Sequence, residues 1–113
     1  MPQVQVQEVA ALVAQWQAEG LQPALLDVRE PWEVAAARVD LPGVTTLLIP
    51  MQQIPTRQIE LPDAQPLLVL CHHGMRSLQV AMYLAAHDHD MVVNVAGGID
   101  AWSARVDPAV PRY

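Results

Sequence analysis

The sequence predicts an α/β fold, in which a five-stranded, mostly parallel sheet carries helices on both faces. Short apolar runs of strand length alternate along the chain with segments of helical periodicity. Strands joined by helix-length connections require crossovers, and crossovers produce a parallel sheet that is covered on both faces. The length of 113 residues, of which 52% are hydrophobic and 16% charged, is enough for one core and predicts one domain over residues 1–113.

The front part of the chain contains two predicted strands and two predicted helices. Glutamine and valine alternate over residues 3–7, which is typical of a half-exposed edge strand. A helix follows over residues 8–19, because its apolar side chains recur with helical spacing. Residues 24–28 are apolar enough for a strand that is buried on both faces. Pro31 then suits the first turn of a helix over residues 32–38.

The remaining elements continue the alternation. Further strands are predicted at residues 44–49, 67–70 and 91–95, and further helices at 51–60, 77–87 and 99–105. The helix at 51–60 is the weakest, because Pro55 interrupts it. Residues 106–113 are expected to be extended, and Trp16, Trp32 and Trp102 to pack helices onto the sheet.

Charge and cysteine content exclude several classes of function. The net charge of -6 argues against nucleic acid and against anionic membranes as partners. No signal peptide and no run of bilayer length is visible, so we expect a cytoplasmic protein. With 1 Cys an intrachain disulfide is impossible, which fits a reducing compartment.

The single cysteine lies where ligands bind in such a fold, beyond the carboxyl end of a strand. The strand at 67–70 leads into Cys71, and CHHGMRS at 71–77 leads into a helix. Such a loop can turn successive backbone N–H groups inward and form an anion-binding nest at a helix N-terminus. Gly74 permits the backbone shape, and Arg76 favours the nucleophilic thiolate form of the cysteine. The alternative is an inert, buried thiol.

The run from Cys71 to Ser77 resembles the active-site loop of single-domain rhodaneses, a cysteine followed by four residues, then Arg and Ser or Thr. Three further stretches are similar to that family in order and spacing: LDVREP at 26–31, LPGV at 41–44 with Ile49-Pro50, and AGGIDAW at 96–102. The chain departs from the family at 37–40, where ARVD stands in place of a frequent Gly-His.

The resemblance implies sulfur transfer from a small sulfane-sulfur donor, thiosulfate or a persulfide, to cyanide or to a thiol or protein acceptor. Cys71 would be the catalytic nucleophile and would carry the sulfur as a persulfide. No cofactor and no metal are expected. The residues that would bind the substrate and the persulfide are His72, His73, Gly74, Met75, Arg76 and Ser77.

Asp27 and Arg29 are expected to support the site, either through a mutual salt bridge or by contacting substrate. Arg76 either binds an anionic donor or braces the loop against Asp27, and we favour bracing because such arginines often pair with a carboxylate. His72 and His73 either tune the thiol, contact substrate or are simply solvated.

Two other functions stay open. Cysteine phosphatases and arsenate reductases use a similar loop, but with five residues between the cysteine and the arginine, where this chain has four. A non-catalytic module that carries sulfur or senses redox state and binds a protein partner is the second alternative.

Overall fold

The computed structural model of the protein describes residues 2–113, and strands alternate with helices along them. The strands are β1 (Gln3–Gln5), β2 (Ala24–Asp27), β3 (Thr45–Leu48), β4 (Leu67–Leu70) and β5 (Val92–Ala96). The helices are α1 (Val9–Ala18), α2 (Pro31–Ala36), α3 (Ile54–Arg57), α4 (Met75–Ala85) and α5 (Gly98–Arg105). Short 3-10 turns occupy Val6–Glu8, Met51–Gln53 and Gln58–Glu60.

The predicted elements are present, with bounds that differ by a few residues. The weak helix at 51–60 divides into two 3-10 turns around α3. Pro55 lies in the first turn of α3, where its missing N–H costs no hydrogen bond, rather than interrupting a longer helix. The helix after the cysteine begins at Met75, two residues earlier than predicted, because Gly74 turns the chain into it.

The five strands form one sheet in the order β1-β5-β4-β2-β3, and each neighbouring pair is parallel. The sheet is therefore wholly parallel over the described residues, whereas the sequence predicted a mostly parallel one. Parallel strands bring their carboxyl ends to the same edge. Cys71 follows the central strand β4, so it lies in the middle of that edge, between the ends of β2 and β5.

Apolar side chains on the two faces of the sheet form two separate cores. Helices α1 and α5 cover one face, and α3 and α4 cover the other. Along β4 the side chains alternate between the cores, because successive residues of a strand point to opposite faces. Leu68 and Leu70 enter the first core, and Leu67 and Val69 enter the second.

Two of the three tryptophans pack as predicted. Trp16 and Trp102 are buried between helix and sheet, but Trp32 is 66% exposed, so the prediction for Trp32 is wrong. Helix α2 turns Glu33 inward instead, because this carboxylate has charged and polar partners inside the protein. The longest described helix has 11 residues, and none among residues 2–113 is long and apolar enough to cross a membrane.

Candidate active site

The Cys71 side chain lies at the floor of the β4–α4 loop and is almost completely buried, with 1% of the residue exposed. Its Sγ accepts hydrogen bonds from the backbone N–H groups of Gly74 (3.1 Å) and Ser77 (3.3 Å). The Ser77 hydroxyl oxygen lies 3.2 Å from the same sulfur. Donors that converge on one atom stabilise negative charge there, so the loop is built to hold an anionic sulfur.

Gly74 gives the loop its shape. Its φ of +99° is in the left-handed region, and a Cβ at this position would lie 2.9 Å from the backbone nitrogen of Gly97. The carbonyl oxygen of Gly74 accepts a hydrogen bond from Asn94 Nδ2 at 3.3 Å. The Gly74 carbonyl is thus held by Asn94 of β5 while the Gly74 N–H donates to the sulfur, and a larger side chain would disturb both contacts.

The turn between β5 and α5 holds the other side of the loop. The N–H of Ile99 donates to the Cys71 carbonyl (2.9 Å), and the N–H of Asp100 donates to the His72 carbonyl (3.0 Å). Gly98 lies directly against these two carbonyl groups and has a φ of +61°. The loop therefore depends on residues that follow it by more than twenty positions, in addition to its own sequence.

Arg76 braces the loop, but its partner is not the predicted one. Its guanidinium donates to both oxygens of Glu33, at 2.6 and 2.8 Å. The prediction that it pairs with Asp27 is wrong, because Asp27 is already bound by Arg29. Glu33 was not identified from the sequence, and helix α2 places it beside the start of α4.

Glu33 is a buried carboxylate with four donors. Its side chain is 4% exposed and also accepts hydrogen bonds from the Glu30 N–H (3.0 Å) and the Tyr113 hydroxyl (2.8 Å). The hydrogen bonds from Arg76 are the main reason that its pKa falls from 4.5 to about 2, against the opposing effect of burial. The same pair raises the pKa of Arg76.

We therefore expect acid to remove the stabilising effect of Glu33. Because its pKa is lower in the folded protein, the unfolded chain takes up the proton first as the pH falls. The stabilisation is complete above pH 4.5 and is lost as the pH falls through about 2. Urea unfolding of the wild type and of Glu33→Gln at neutral pH and at pH about 3 tests this, and the difference in unfolding free energy should shrink in acid. A difference that does not change with pH would contradict it.

Asp27 and Arg29 form a buried ion pair at the end of β2. Arg29 Nε and Nη2 donate to the two Asp27 oxygens at 2.9 and 2.7 Å, and the side chains are 0% and 3% exposed. Of the two roles left open by the sequence, the structure shows the salt bridge. The remaining nitrogen, Nη1, donates to the Glu33 carbonyl (3.2 Å) and to the Tyr113 hydroxyl (3.0 Å). The pair thus connects β2 to α2 and to residue 113.

The two loop histidines differ in their surroundings. The His72 ring is stacked between His73 (3.9 Å) and Tyr113 (4.0 Å), so it is held in place. The His73 side chain is 62% exposed and lies 3.9 Å from Asp100. Met75, the remaining predicted loop residue, is exposed at the first position of α4.

The family model of the rhodanese-like domain matches residues 6–105. The chain belongs to the rhodanese-like family. A relative named sulfurtransferase, from Allochromatium vinosum, is 35% identical over 86 residues, which cover 76% of this chain and 77% of the relative. The rhodanese-like/PpiC domain-containing protein 12, chloroplastic, of Arabidopsis thaliana is 40% identical over 93 residues, or 79% of this chain. This chain matches only 30% of the length of that second relative.

A solved structure supports the same assignment. The crystal structure of a rhodanese-like domain protein from Staphylococcus aureus is 26% identical to this rhodanese-like chain, with a TM-score of 0.72. The match covers 100% of this chain and 99% of the other. The α/β fold predicted from the sequence is confirmed, and the family and the sulfurtransferase relative support sulfur transfer as the general class of reaction.

The rhodanese-like chain also brings three possible metal ligands together. His72, His73 and Asp100 each offer an atom within 4.8 Å of the others. However, Arg112 donates to both oxygens of Asp100, at 3.0 and 3.1 Å, so that carboxylate already has a cationic partner. The charge of Asp100 is therefore balanced by Arg112 in this structure. The expected absence of a metal ion stays a prediction.

Three contributors to the site were missed in the sequence: Glu33, Asn94 and Tyr113. Glu33 had a weak signal, because it lies in the first turn of a helix that follows the carboxyl end of a strand. Asn94 interrupts an otherwise apolar buried strand, which is a signal for a specific hydrogen bond. No sequence signal pointed to Tyr113, because it lies 80 residues from Glu33 in the sequence.

Proposed function

We propose that the protein is a sulfurtransferase in which Cys71 accepts a sulfane sulfur as a persulfide and passes it to a second nucleophile. The observation that carries the proposal is the set of polar groups around Sγ: the N–H groups of Gly74 and Ser77 donate to it, and the Ser77 hydroxyl lies 3.2 Å away. These groups stabilise the thiolate before reaction. We expect amides of the same loop, residues 72–77, to stabilise the terminal sulfur of the persulfide afterwards.

With thiosulfate as donor, the Cys71 thiolate attacks the outer sulfur. A new S–S bond forms on Sγ, the S–S bond of thiosulfate breaks, and sulfite leaves with the electron pair. Cyanide or an acceptor thiolate then attacks the terminal sulfur, and the electron pair of the second broken bond returns to Sγ. Neither step needs an external oxidant or reductant.

Arg76 contributes to this reaction by its position. Both of its terminal nitrogens are engaged by Glu33, so its role is to brace the loop beside the sulfur rather than to grip the donor with two nitrogens. Its positive charge still lies in the segment that holds Cys71, where it favours anionic donors and the anionic persulfide. Asp27 holds Arg29 in place, and Arg29 supports the site by donating hydrogen bonds to the Glu33 carbonyl and the Tyr113 hydroxyl.

The number of loop residues favours sulfur transfer over phosphate or arsenate chemistry. Four residues separate Cys71 from Arg76, which gives a small ring of amides that suits a single sulfur atom. A tetrahedral oxyanion needs donors around three oxygens. A protein acceptor instead of cyanide remains within the proposal. A partner-dependent sulfur carrier stays the alternative function, and the cytoplasmic location stays a prediction.

Intact-protein mass spectrometry after incubation with thiosulfate tests the proposal. The wild type should gain the mass of one sulfur atom and lose it again when cyanide is added. Cys71→Ser should gain nothing, because its hydroxyl is a weak nucleophile at neutral pH. An aryl phosphate assay on the same sample is the matched measurement for the alternative reaction.

Two results would overturn the proposal. One is a wild-type protein that takes up no sulfur from thiosulfate or from small persulfides. The other is efficient hydrolysis of the aryl phosphate without sulfur uptake. Uptake only in the presence of a protein partner would assign the chain to the sulfur carriers instead.

A further inference from the structure

Residues 106–113 return to the active-site edge after α5. The backbone N–H groups of Val106 and Asp107 donate to the Trp102 carbonyl, and Ser103 Oγ donates to the Val110 carbonyl at 2.5 Å. The two hydrogen bonds from Arg112 to Asp100 then fix the segment beside the loop. These contacts place Tyr113 beside His72 and Glu33.

Tyr113 contacts both halves of the site. Its ring is stacked on His72, with centroids 4.0 Å apart and an interplanar angle of 9°. Its hydroxyl accepts a hydrogen bond from Arg29 at 3.0 Å and donates one to Glu33 at 2.8 Å. The ring therefore touches the residue next to Cys71, while the hydroxyl binds the carboxylate that holds Arg76.

The hydroxyl lies between opposite charges. Burial is the main reason that the pKa of Tyr113 rises to about 12, so the phenol keeps its proton and can donate to Glu33 at neutral pH. Without this donor, one oxygen of Glu33 would depend on Arg76 alone. The carboxylate and the arginine could then shift together, and the loop that begins α4 would shift with them.

We propose that Tyr113 is a positioning residue of the sulfur-transfer site, which fixes the 71–77 loop through His72 on one side and through Glu33 and Arg76 on the other. The inference rests on the proposed function. It extends that function to a residue outside the matched segment 6–105. The hydrogen bonds of Tyr113 go to Arg29 and Glu33 and not to Cys71 Sγ or the amides that donate to it, so Tyr113 acts through its neighbours.

The rate of sulfur uptake tests this role. Wild type, Tyr113→Phe and Tyr113→Ala are mixed with excess thiosulfate, and the gain of sulfur on Cys71 is followed by quenched mass spectrometry in a single turnover. The amplitude of the sulfur gain measures the fraction of molecules that are folded and able to react. The rate constant of the gain depends on the geometry of the site. Loss of stability alone would lower the amplitude and leave the rate constant unchanged.

We expect a graded loss. Tyr113→Phe keeps the stack on His72 and loses the two hydrogen bonds, so the rate constant should fall about tenfold. Tyr113→Ala loses both the stack on His72 and the two hydrogen bonds, so its rate constant should fall about a hundredfold. Tyr83 provides the matched control, because it stacks on His87 at 4.0 Å near the far end of α4. Tyr83→Phe should react at the wild-type rate.

The outcomes separate the two proposals. If the wild type takes up no sulfur, both the function and the positioning role fail. If the wild type reacts and both Tyr113 variants react at its rate, the function stands and the positioning role is overturned. Tyr113→Phe keeps the aromatic ring and all packing, so the test does not depend on the alanine variant folding.

Discussion

Replacing Gly98 by alanine should reduce sulfur uptake by Cys71 at least about a hundredfold, because it displaces the loop that surrounds the sulfur. An added Cβ would lie 2.5 Å from the Cys71 carbonyl oxygen and against that of His72. Both carbonyl groups accept hydrogen bonds from the start of α5, so the loop cannot move away without losing them. The φ of +61° adds backbone strain for a residue with a side chain. The close contact and the backbone strain together should lower the free energy of unfolding by about 3 kcal/mol.

Gly20→Ala is the matched control for this variant. Gly20 has a similar positive φ of +81°, but nothing lies within 4 Å of the position of its Cβ. Gly20→Ala should lower the free energy of unfolding by about 1 kcal/mol, through backbone strain alone, and leave sulfur uptake unchanged. Unfolding in urea and quenched mass spectrometry give the two readouts. Equal behaviour of the two variants would show that the contact of Gly98 with the loop carbonyl groups has no functional importance.

Asp27→Ala should lower the free energy of unfolding by about 3–5 kcal/mol, because it leaves the charge of Arg29 buried without its counterion. The Asp27 oxygens accept three hydrogen bonds from Arg29, two from the guanidinium and one from the backbone N–H at 3.1 Å. The Arg29 side chain is 0% exposed, so water cannot replace the lost oxygens. All three donors to those oxygens would then have no partner in place.

The exposed pair of Arg57 and Glu60 provides the control. Its geometry is almost the same, with two hydrogen bonds of 2.8 and 2.9 Å, but its side chains are 36% and 48% exposed. Water and salt screen such a pair, so Glu60→Ala should change stability far less than Asp27→Ala. Urea titration of both variants measures the difference. If the two variants lost similar amounts of unfolding free energy, burial would not be the reason that the Asp27–Arg29 pair stabilises the protein.

The sequence was sufficient for the fold because its signals are local. Helical periodicity in α1, the apolar runs of β2 and β4, and the turn residues between elements each depend on neighbours a few positions away. Alternation of these elements then leaves few arrangements besides a parallel sheet. The position of Cys71 at a strand end, beside a glycine, an arginine and a serine, could be predicted for the same reason.

The partners of the charged side chains were decided by the tertiary structure. Arg76 lies 43 residues from Glu33, and Tyr113 lies 84 residues from Arg29. Asp27 was the only carboxylate predicted as a partner of Arg76, and no sequence signal placed Tyr113 near the site. An ion pair forms between groups that packing brings within about 3 Å, and packing depends on every helix and strand at once. The place of the cysteine loop at a strand end could therefore be predicted from its own sequence, whereas the groups that hold the loop in shape were determined by the assembled fold.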